Sequence, residues 1–376
     1  MKIAVNTRLL LKDKLEGIGW VAYETLKRIS QQHPEHDFYF IFDRKYDEEF
    51  IFADNVHPLV AYPQARHPFL YYIWFEISLP LIFKKIKPDL FLSPDSHLTL
   101  ASKVKSIAVF HDLNFEHYPE DLPMMERFFN QYFFPKYARK AHRIVTVSEF
   151  SKRDIINQYN VSADKIDVVY NGANELYKPI SEELKTKTRD HYTAGNPYFL
   201  FVGAVHPRKN IARLFHAFDI FKRHDKDNIK LLIVGHKKWW TREIRESFEN
   251  MNYADEVIFS GRLPADELLR VIASALSLTY ISYFEGFGIP ILEAFYCDVP
   301  VITSNVTSMP EVAGDAALLV DPFSVKSIAS ALSDMAGNKE LRKELIEKGR
   351  RRKEIFNWQK TADDLWKAIE KTLNEK

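Results

Sequence analysis

The sequence predicts an α/β protein of two doubly wound domains, each with a parallel sheet covered by helices on both faces. A chain of 376 residues is longer than one core of about 150–200 residues needs. Short apolar runs alternate with longer stretches of helical period, which is typical of a parallel sheet. The alternation pauses over the polar residues 173–196 and then restarts, so we place the domains at 1–185 and 186–357. A ligand cleft is expected at the carboxyl ends of their strands.

The first domain contains five runs of strand length and one clearly periodic helix. The predicted strands are KIAV (2–5), FYFIF (38–42), LFLS (90–93), SIAVF (106–110) and RIVTV (143–147). Residues 18–30 carry apolar side chains at helical spacing, namely Ile18, Val21, Ala22, Leu26 and Ile29. A helix is therefore expected soon after the first strand.

The second domain repeats the alternation with six strand-like runs. They are YFLFVG (198–203), KLLIVG (230–235), EVIFSG (256–261), SLTYIS (277–282), VPVIT (299–303) and AALLV (316–320). The charged end of the chain is helical, and residues 357–373 have the pattern of one amphipathic helix.

The composition is that of an ordinary globular protein, with 46% hydrophobic residues, 27% charged residues and a net charge of +1. This near-neutral balance argues against a nucleic-acid partner. The single cysteine, Cys297, cannot form an internal disulfide, which favours a reducing compartment. The first residues, MKIAVNTRLLLKDK, are too often interrupted by charges for a signal peptide, so we expect a cytoplasmic protein.

Several familiar catalytic signatures are missing from the sequence. It contains no G-x-x-x-x-G-K-[ST], no complete G-x-G-x-x-G after a strand, and no H-E-x-x-H or cysteine–histidine cluster. These absences argue against a P-loop enzyme, an NAD-dependent enzyme and a zinc site. Residues 225–227 match D-x-D but precede a strand, which favours a solvated loop over a metal site.

The stretch YFEGFGIPILEAF (283–295) directly follows the strand-like run SLTYIS and leads into a helix. Pro290 suits the first position of that helix, and the glycines before it allow a ligand to approach the backbone closely. A helix N-terminus beside such a loop favours an anion.

The two acids of this stretch, Glu285 and Glu293, allow two interpretations. Glu293 in the first helical turn could serve only the helix dipole, and Glu285 could be an ordinary loop acid. Their joint placement at an anion-binding corner favours a functional site.

A second corner follows the strand-like run at 198–203. Arg208 and Lys209 stand at the start of a helix that Asn210 could cap. The helix dipole disfavours cations at this end, so the pair indicates a bound anion. The alternative is a pair of solvated loop residues.

The spacing E-x7-E within EGFGIPILEA, followed by PVITSNVTSMPEVAGDAALLVDP (300–322), resembles the retaining glycosyltransferases of family 4. VGAVHPRKN resembles the diphosphate loop of that family. Further similar segments are GIGWVAYETL (17–26), VFHDL (109–113), VTVSEFSKRDI (145–155) and VVYNG (168–172).

This resemblance implies the GT-B fold, in which two Rossmann-like domains face each other across a cleft. Residues 1–185 would bind the acceptor, residues 186–357 would bind the donor, and the terminal helix 358–376 would pack back on the first domain. The reaction implied is a metal-independent transfer of a sugar from a nucleotide-sugar donor, with retention and without a cofactor. The acceptor would be a saccharide or a lipid-linked saccharide. The donor we expect first is GDP-mannose, as in the bacterial polysaccharide mannosyltransferases that the chain resembles.

The resemblance also implies roles for individual residues. Glu285 would hydrogen-bond the transferred sugar, Glu293 would accept the ribose hydroxyls, and His111 would touch the donor sugar at the reacting face. Arg208 and Lys209 would neutralise the diphosphate. The remaining donor-binding positions are loop glycines and one neighbour: Gly17, Gly19, Gly203, Gly286, Phe287 and Gly288. Many relatives have Gly-Arg where this chain has Gly203-Ala204, so Arg208 is assigned the work of that arginine.

Residues 66–87 combine aromatic and basic side chains, which is compatible with peripheral contact with the inner membrane surface. A buried helix with an exposed basic end is the alternative. For the whole chain, the alternative to an enzyme is a non-catalytic two-domain protein that binds a sugar or a nucleotide.

Overall fold

The computed structural model describes residues 1–237 and 239–375, and it divides into two compact units. Unit 1 consists of Met1–Asn171 and the chain from Trp358 onward, and unit 2 of Gly172–Asn357. The boundary lies earlier than the predicted end of the first domain at 185. The reason is that residues 172–185 attach to the second core, where the Tyr177 hydroxyl donates a hydrogen bond to Glu293 of α11.

Unit 1 is built on a parallel sheet that has seven strands within the described residues, in the order β3-β2-β1-β4-β5-β6-β7. The strands are β1 (Lys2–Asn6), β2 (Asp37–Phe42), β3 (Val56–Val60), β4 (Leu90–Ser93), β5 (Lys105–Phe110), β6 (Arg143–Thr146) and β7 (Ile166–Val168). The five predicted strands are confirmed, and the two that were missed, β3 and β7, lie at the edges. Pro58 interrupts the strand signal of β3, which is tolerated at an edge.

Unit 2 has a parallel sheet of six strands, counted over the described residues, in the order β10-β9-β8-β11-β12-β13. All six predicted strands are confirmed: β8 (Tyr198–Val202), β9 (Lys230–Val234), β10 (Val257–Gly261), β11 (Ser277–Tyr280), β12 (Val301–Ser304) and β13 (Ala317–Val320). In both sheets the strand order reverses beside the first strand, between β1 and β4 and between β8 and β11. Ligands of open α/β sheets bind at the carboxyl ends of such neighbours.

Helices cover both sheets. In chain order they are α1 (Gly17–Gln32), α2 (Pro68–Ile73), α3 (Leu79–Ile86), α4 (Asn114–His117), α5 (Met124–Lys140), α6 (Glu149–Tyr159), α7 (Glu182–Thr193), α8 (Ile211–Lys222), α9 (Arg242–Glu249), α10 (Ala265–Ser274), α11 (Ile289–Tyr296), α12 (Met309–Ala313), α13 (Val325–Gly337), α14 (Lys339–Arg352) and α15 (Trp358–Asn374). A π-helical segment, Trp74–Ser78, joins α2 to α3.

The terminal helix α15 belongs to unit 1 because its apolar face shares a core with the first strand. Trp366 and Ile369 are buried in one cluster with Ile3 and Val5. The ring of His33, after α1, stacks on Trp366 with centroids 3.6 Å apart. The last helix thus completes one face of the first sheet.

Candidate functional site

The candidate site of unit 2 lies where the loops after β8 and β11 meet. The two strands pair in parallel, with Ser277 opposite Phe199, so their carboxyl ends are adjacent. The backbone N–H of Tyr283 donates to the carbonyl of Arg208 at 3.0 Å and ties the loops together. The two anion-binding corners that the sequence predicts separately therefore form one site.

Glu285 is the centre of this site. Its Oε2 lies 2.7 Å from Nη1 of Arg208, and its Oε1 lies 2.5 Å from Nζ of Lys209. The side chain is only 8% exposed. Burial opposes its ionisation, but the two cations outweigh that effect and hold the pKa of Glu285 at about 2. The carboxylate is therefore charged near neutral pH, and it faces two cations that remain partly accessible to solvent.

Tyr280, on β11, was not predicted from the sequence and positions Lys209. The Nζ of Lys209 donates to the Tyr280 hydroxyl at 2.5 Å and lies 4.6 Å from the centre of its ring. Burial, together with the Glu285 carboxylate, raises the pKa of Tyr280 well above its usual value, so the phenol stays neutral. A tyrosine that ends a buried strand looks like a core residue in sequence, which is why it was overlooked.

The loop after β11 is held by its backbone. Gly288 has a φ of +105°, and a Cβ there would lie 3.0 Å from Cε of Met309. Ser308 donates to the carbonyls of Glu285 and Phe287 at 2.8 and 3.1 Å. The Phe287 side chain is buried and its ring packs edge-on to that of Phe356. Phe287 thus anchors the loop through its side chain.

The loop after β8 begins at Gly203, whose φ is +144°. A Cβ on Gly235, after β9, would lie 1.9 Å from the carbonyl oxygen of Gly203. The two backbones are therefore in a contact that only glycine at 235 permits, a requirement that the sequence did not reveal.

Two predictions about helix ends are wrong. Asn210 occupies the N-cap position of α8, but its side chain makes no capping bond and donates instead to the carbonyls of Ile281 and Pro322. Helix α11 begins at Ile289, before Pro290, and has no acid in its first turn, so Glu293 does not serve the helix dipole there. The interpretation of Glu293 as a helix-stabilising acid is excluded.

Glu293 lies half-buried on α11. Burial raises the pKa of its carboxyl to about 7, an effect that the hydrogen bond from the Tyr177 hydroxyl reduces. Glu293 differs in this from Glu285, whose ionised form two cations stabilise. A carboxyl whose charge is poorly compensated is typical of a site that awaits a ligand.

His111 follows β5 in unit 1. Its Nε2 donates to the carbonyl of Pro94 at 2.7 Å, which leaves Nδ1 as the acceptor. Burial lowers the pKa of His111, so the ring is neutral near pH 7. Gly17 and Gly19 also lie in unit 1, at the start of α1, where a Cβ on Gly19 would lie 3.0 Å from the carbonyl of Leu9.

A buried polar cluster at the β1–β4 end of unit 1 was not predicted. Arg8 pairs with Asp95, and Asn6 donates to Asp95 at 2.8 Å. Despite burial, Arg8 holds the pKa of Asp95 well below its usual range. Pro94, which accepts the bond from His111, directly precedes Asp95, so this cluster stiffens the loop that orients His111.

The D-x-D match at 225–227 lies in the loop between α8 and β9, and Asp225 stabilises that loop through hydrogen bonds. Asp225 accepts from Nζ of Lys222 at 2.6 Å and from the N–H of Ile229 at 2.8 Å. Within residues 1–237 and 239–375, no group of three or more His, Cys, Asp and Glu side chains is placed to hold a metal ion. Independence of metal stays a prediction.

The segment 66–87 forms α2, the π-helical segment and α3. It buries Trp74 and Phe75 but exposes Phe69 and Leu81. Among the described residues, no helix is both long and apolar enough to cross a membrane.

The chain is similar to known glycosyltransferases along most of its length. Residues 185–352 match the family Glycosyl transferases group 1, and residues 15–175 match Glycosyltransferase Family 4. The O-antigen chain mannosyltransferase B of Escherichia coli is 31% identical over 261 residues, which cover 68% of this chain and 67% of that protein. The O-antigen chain mannosyltransferase RfbU of Salmonella typhimurium is 28% identical over 283 residues, which cover 75% and 72%.

Solved structures share the fold at low identity. The sucrose-phosphate synthase of Thermosynechococcus elongatus matches with a TM-score of 0.79 at 18% identity, over 98% of each chain. Anabaena Alr3699/HepE in complex with UDP-glucose matches with a TM-score of 0.76 at 16% identity, over 99% of this chain and 100% of that one. Together with the two parallel sheets, these matches confirm the predicted GT-B fold class.

Proposed function

Because this chain belongs to the glycosyl transferases group 1 and is a hexosyltransferase, we propose that it transfers mannose from GDP-mannose to a saccharide in polysaccharide assembly. The mannosyl part is supported by the names of the O-antigen mannosyltransferases to which it is similar. The acceptor we propose is a saccharide or a lipid-linked saccharide, bound by unit 1. No metal or other cofactor is part of the proposal.

The observation that carries this proposal is the contact of Glu285 with Arg208 and Lys209. Two cations assembled at a sheet's carboxyl edge match the charge of a diphosphate. Glu285 neutralises one of these two positive charges, so the three side chains together carry a net charge of +1. When the diphosphate binds, it becomes their second anionic partner, and the carboxylate can turn its remaining acceptor capacity toward sugar hydroxyls.

The proposed transfer uses these fixed charges in opposite ways. As the bond between the anomeric carbon and the phosphate oxygen breaks, Arg208 and Lys209 stabilise the negative charge that gathers on the diphosphate. Glu285 stabilises the positive charge that develops on the sugar ring. The acceptor oxygen forms the new bond on the same face, and its proton passes to the departing phosphate. This course gives retention without a covalent enzyme intermediate.

His111 and Glu293 have further roles in the proposed transfer. The neutral His111, held by Pro94, offers Nδ1 as an acceptor for a sugar hydroxyl. Glu293 accepts the ribose hydroxyls, for which its half-buried carboxyl must be ionised. Among the backbone groups, those of Gly203, Gly286 and Gly288 approach the phosphates.

The proposal is tested by a donor hydrolysis screen across UDP-, GDP-, ADP- and dTDP-sugars, with and without EDTA. We expect GDP-mannose to be consumed fastest, at a rate that EDTA leaves unchanged. Loss of activity with EDTA and its return with magnesium or manganese would contradict the metal-independent site. Stabilisation by free sugars alone, with no donor consumed, would favour the non-catalytic binding protein instead.

Glu293→Gln is expected to stabilise the fold and weaken the donor site. Between pH ~4.3 and about 7 the folded chain keeps a proton that the unfolded chain has lost, so stability falls as pH rises through this window. At pH 8 the charge costs at most about 4 kcal/mol, a cost that glutamine removes. We expect a higher melting temperature at pH 8, a smaller change at pH 5, and a donor KM raised by roughly tenfold or more.

The matched control is Glu183→Gln, an exposed acid on α7. It should leave both the melting temperature and KM near wild type. A Glu293→Gln enzyme with lower melting temperature at pH 8 and normal kinetics would show that this carboxyl supports the fold and not the donor.

A further inference from the structure

Large apolar side chains are exposed along one side of the α2–α3 segment. Phe69, Tyr72, Ile77 and Leu81 are between 48% and 64% exposed. Side chains of the same segment that point inward, such as Trp74, Phe75 and Leu79, are fully buried. The segment is thus apolar on both sides, although only one side is covered by protein.

The π-helical segment keeps the exposed side chains in line. The steps between them are three residues from Phe69 to Tyr72, five from Tyr72 to Ile77, and four from Ile77 to Leu81. A five-residue step would leave the face of an α-helix, but a π-turn closes over five residues. The N–H of Leu79 donates to the carbonyl of Trp74, as that turn requires. The bulge therefore aligns an exposed apolar stripe, here called the α2–α3 stripe.

Helix α5 extends this surface. Met125, Phe128 and Tyr132 follow each other at three and four residues, so they share one face, and each is about 60% exposed. The helix packs on α2 through the rings of Tyr72 and Phe133, whose centroids are 6.2 Å apart. Two neighbouring helices thus present apolar side chains to solvent.

The charges that border the α2–α3 stripe are positive, while α5 carries the half-buried acid Glu126 next to Met125. Lys84 and Lys85 are exposed at three and four residues beyond Leu81, in the last turn of α3. Lys136 of α5 lies 3.2 Å from the centre of the Tyr132 ring. Glu76, which is the one acid in residues 66–87, turns inward and accepts the backbone N–H groups of Leu100 and Ala101.

From this geometry we infer that the α2–α3 stripe and the exposed face of α5 dock unit 1 on an anionic membrane surface. Apolar side chains of this kind enter the headgroup boundary, while lysines at their edge attract anionic lipid. A second copy of the chain suits the surface less well, because it would bring the same positive charges together. This inference goes beyond the transfer reaction and does not depend on which sugar is transferred.

Vesicle co-sedimentation tests this docking. The purified chain should bind vesicles that contain phosphatidylglycerol at least tenfold more tightly than vesicles of phosphatidylcholine alone. Lys84→Glu/Lys85→Glu should remove most of that preference, and Leu81→Gln/Phe128→Gln should weaken binding to both kinds of vesicle. The control Ile220→Gln/Leu319→Gln changes exposed apolar residues of unit 2 and should bind as wild type.

Melting temperature and hydrolysis of a soluble donor, measured on each variant, separate docking from folding and from the donor site. Normal folding with binding lost in the two unit 1 variants supports the inference, whatever the donor specificity proves to be. Equal affinity for neutral and anionic vesicles would overturn it. So would a dimer in solution that the Leu81→Gln/Phe128→Gln variant dissociates, since the surface would then belong to a second copy.

Discussion

Glu285→Gln is expected to lower kcat by roughly 10²–10³-fold, which corresponds to about 3–4 kcal/mol of lost transition-state stabilisation. In the proposed transfer, the buried carboxylate places a negative charge beside the sugar carbon at which positive charge develops, and glutamine cannot supply that charge. Arg208 and Lys209 would at the same time lose their internal counter-ion. We therefore expect GDP to bind more tightly to this variant than to the wild type.

Steady-state kinetics and titration calorimetry with GDP measure these two effects. A fall in kcat with an unchanged or lower donor KM would fit a charge that acts in the transition state. A kcat equal to that of the wild type, with a lowered melting temperature, would instead show that Glu285 only compensates the charges of Arg208 and Lys209 within the fold. Glu183→Gln again provides the control.

Lys209→Ala is expected to weaken donor binding and slow transfer by roughly 10–100-fold, since a charge-assisted bond to phosphate contributes about 1.5–3 kcal/mol. The side chain is 12% exposed and fixed by Tyr280, so little freedom is lost when the donor arrives. Lys226→Ala, at an exposed lysine of the 225–227 loop, should change neither donor affinity nor the rate of transfer.

The double variant Lys209→Ala/Glu285→Gln separates the roles of the two residues. Substitutions of residues in direct contact do not have additive effects on free energy. We therefore expect the loss of donor affinity caused by Lys209→Ala to differ between the wild-type and Glu285→Gln backgrounds. Strict additivity, or unchanged donor affinity in Lys209→Ala alone, would move the diphosphate site away from these loops.

The fold could largely be predicted from the alternation of apolar runs with helical stretches. Every strand with two covered faces has a continuous apolar run, and those runs were found. The edge strands β3 and β7 were not predicted, because a strand at the edge of a sheet can be short or less apolar. Strand β3 contains Pro58, and β7 has three residues. The position of the 172–181 stretch could not be predicted, because its attachment to unit 2 depends on tertiary contacts such as that of Tyr177 with Glu293.

The candidate site was predicted in parts but not as a whole. The residues around Glu285 and Lys209 were each identified from a loop before a helix. That these side chains meet follows from the pairing of β8 with β11, which no local pattern shows. Tyr280 and Ser308 were missed because a hydroxyl next to a buried run has the same sequence signal as ordinary core. Gly235 was missed because its role lies in the backbone of another loop.

The π-helical segment Trp74–Ser78 has a consequence for how this region can vary among related chains. It amounts to one extra residue in an otherwise continuous helix. Loss of one residue there, with a return to α-helical winding, would shorten the step from Tyr72 to Ile77 to four residues, which keeps both side chains on one helix face. Apolar side chains on either face can be exchanged for one another with little effect on this alignment. Related chains are therefore expected to have either the π-helical segment or an α-helix one residue shorter, with the exposed apolar face kept in both.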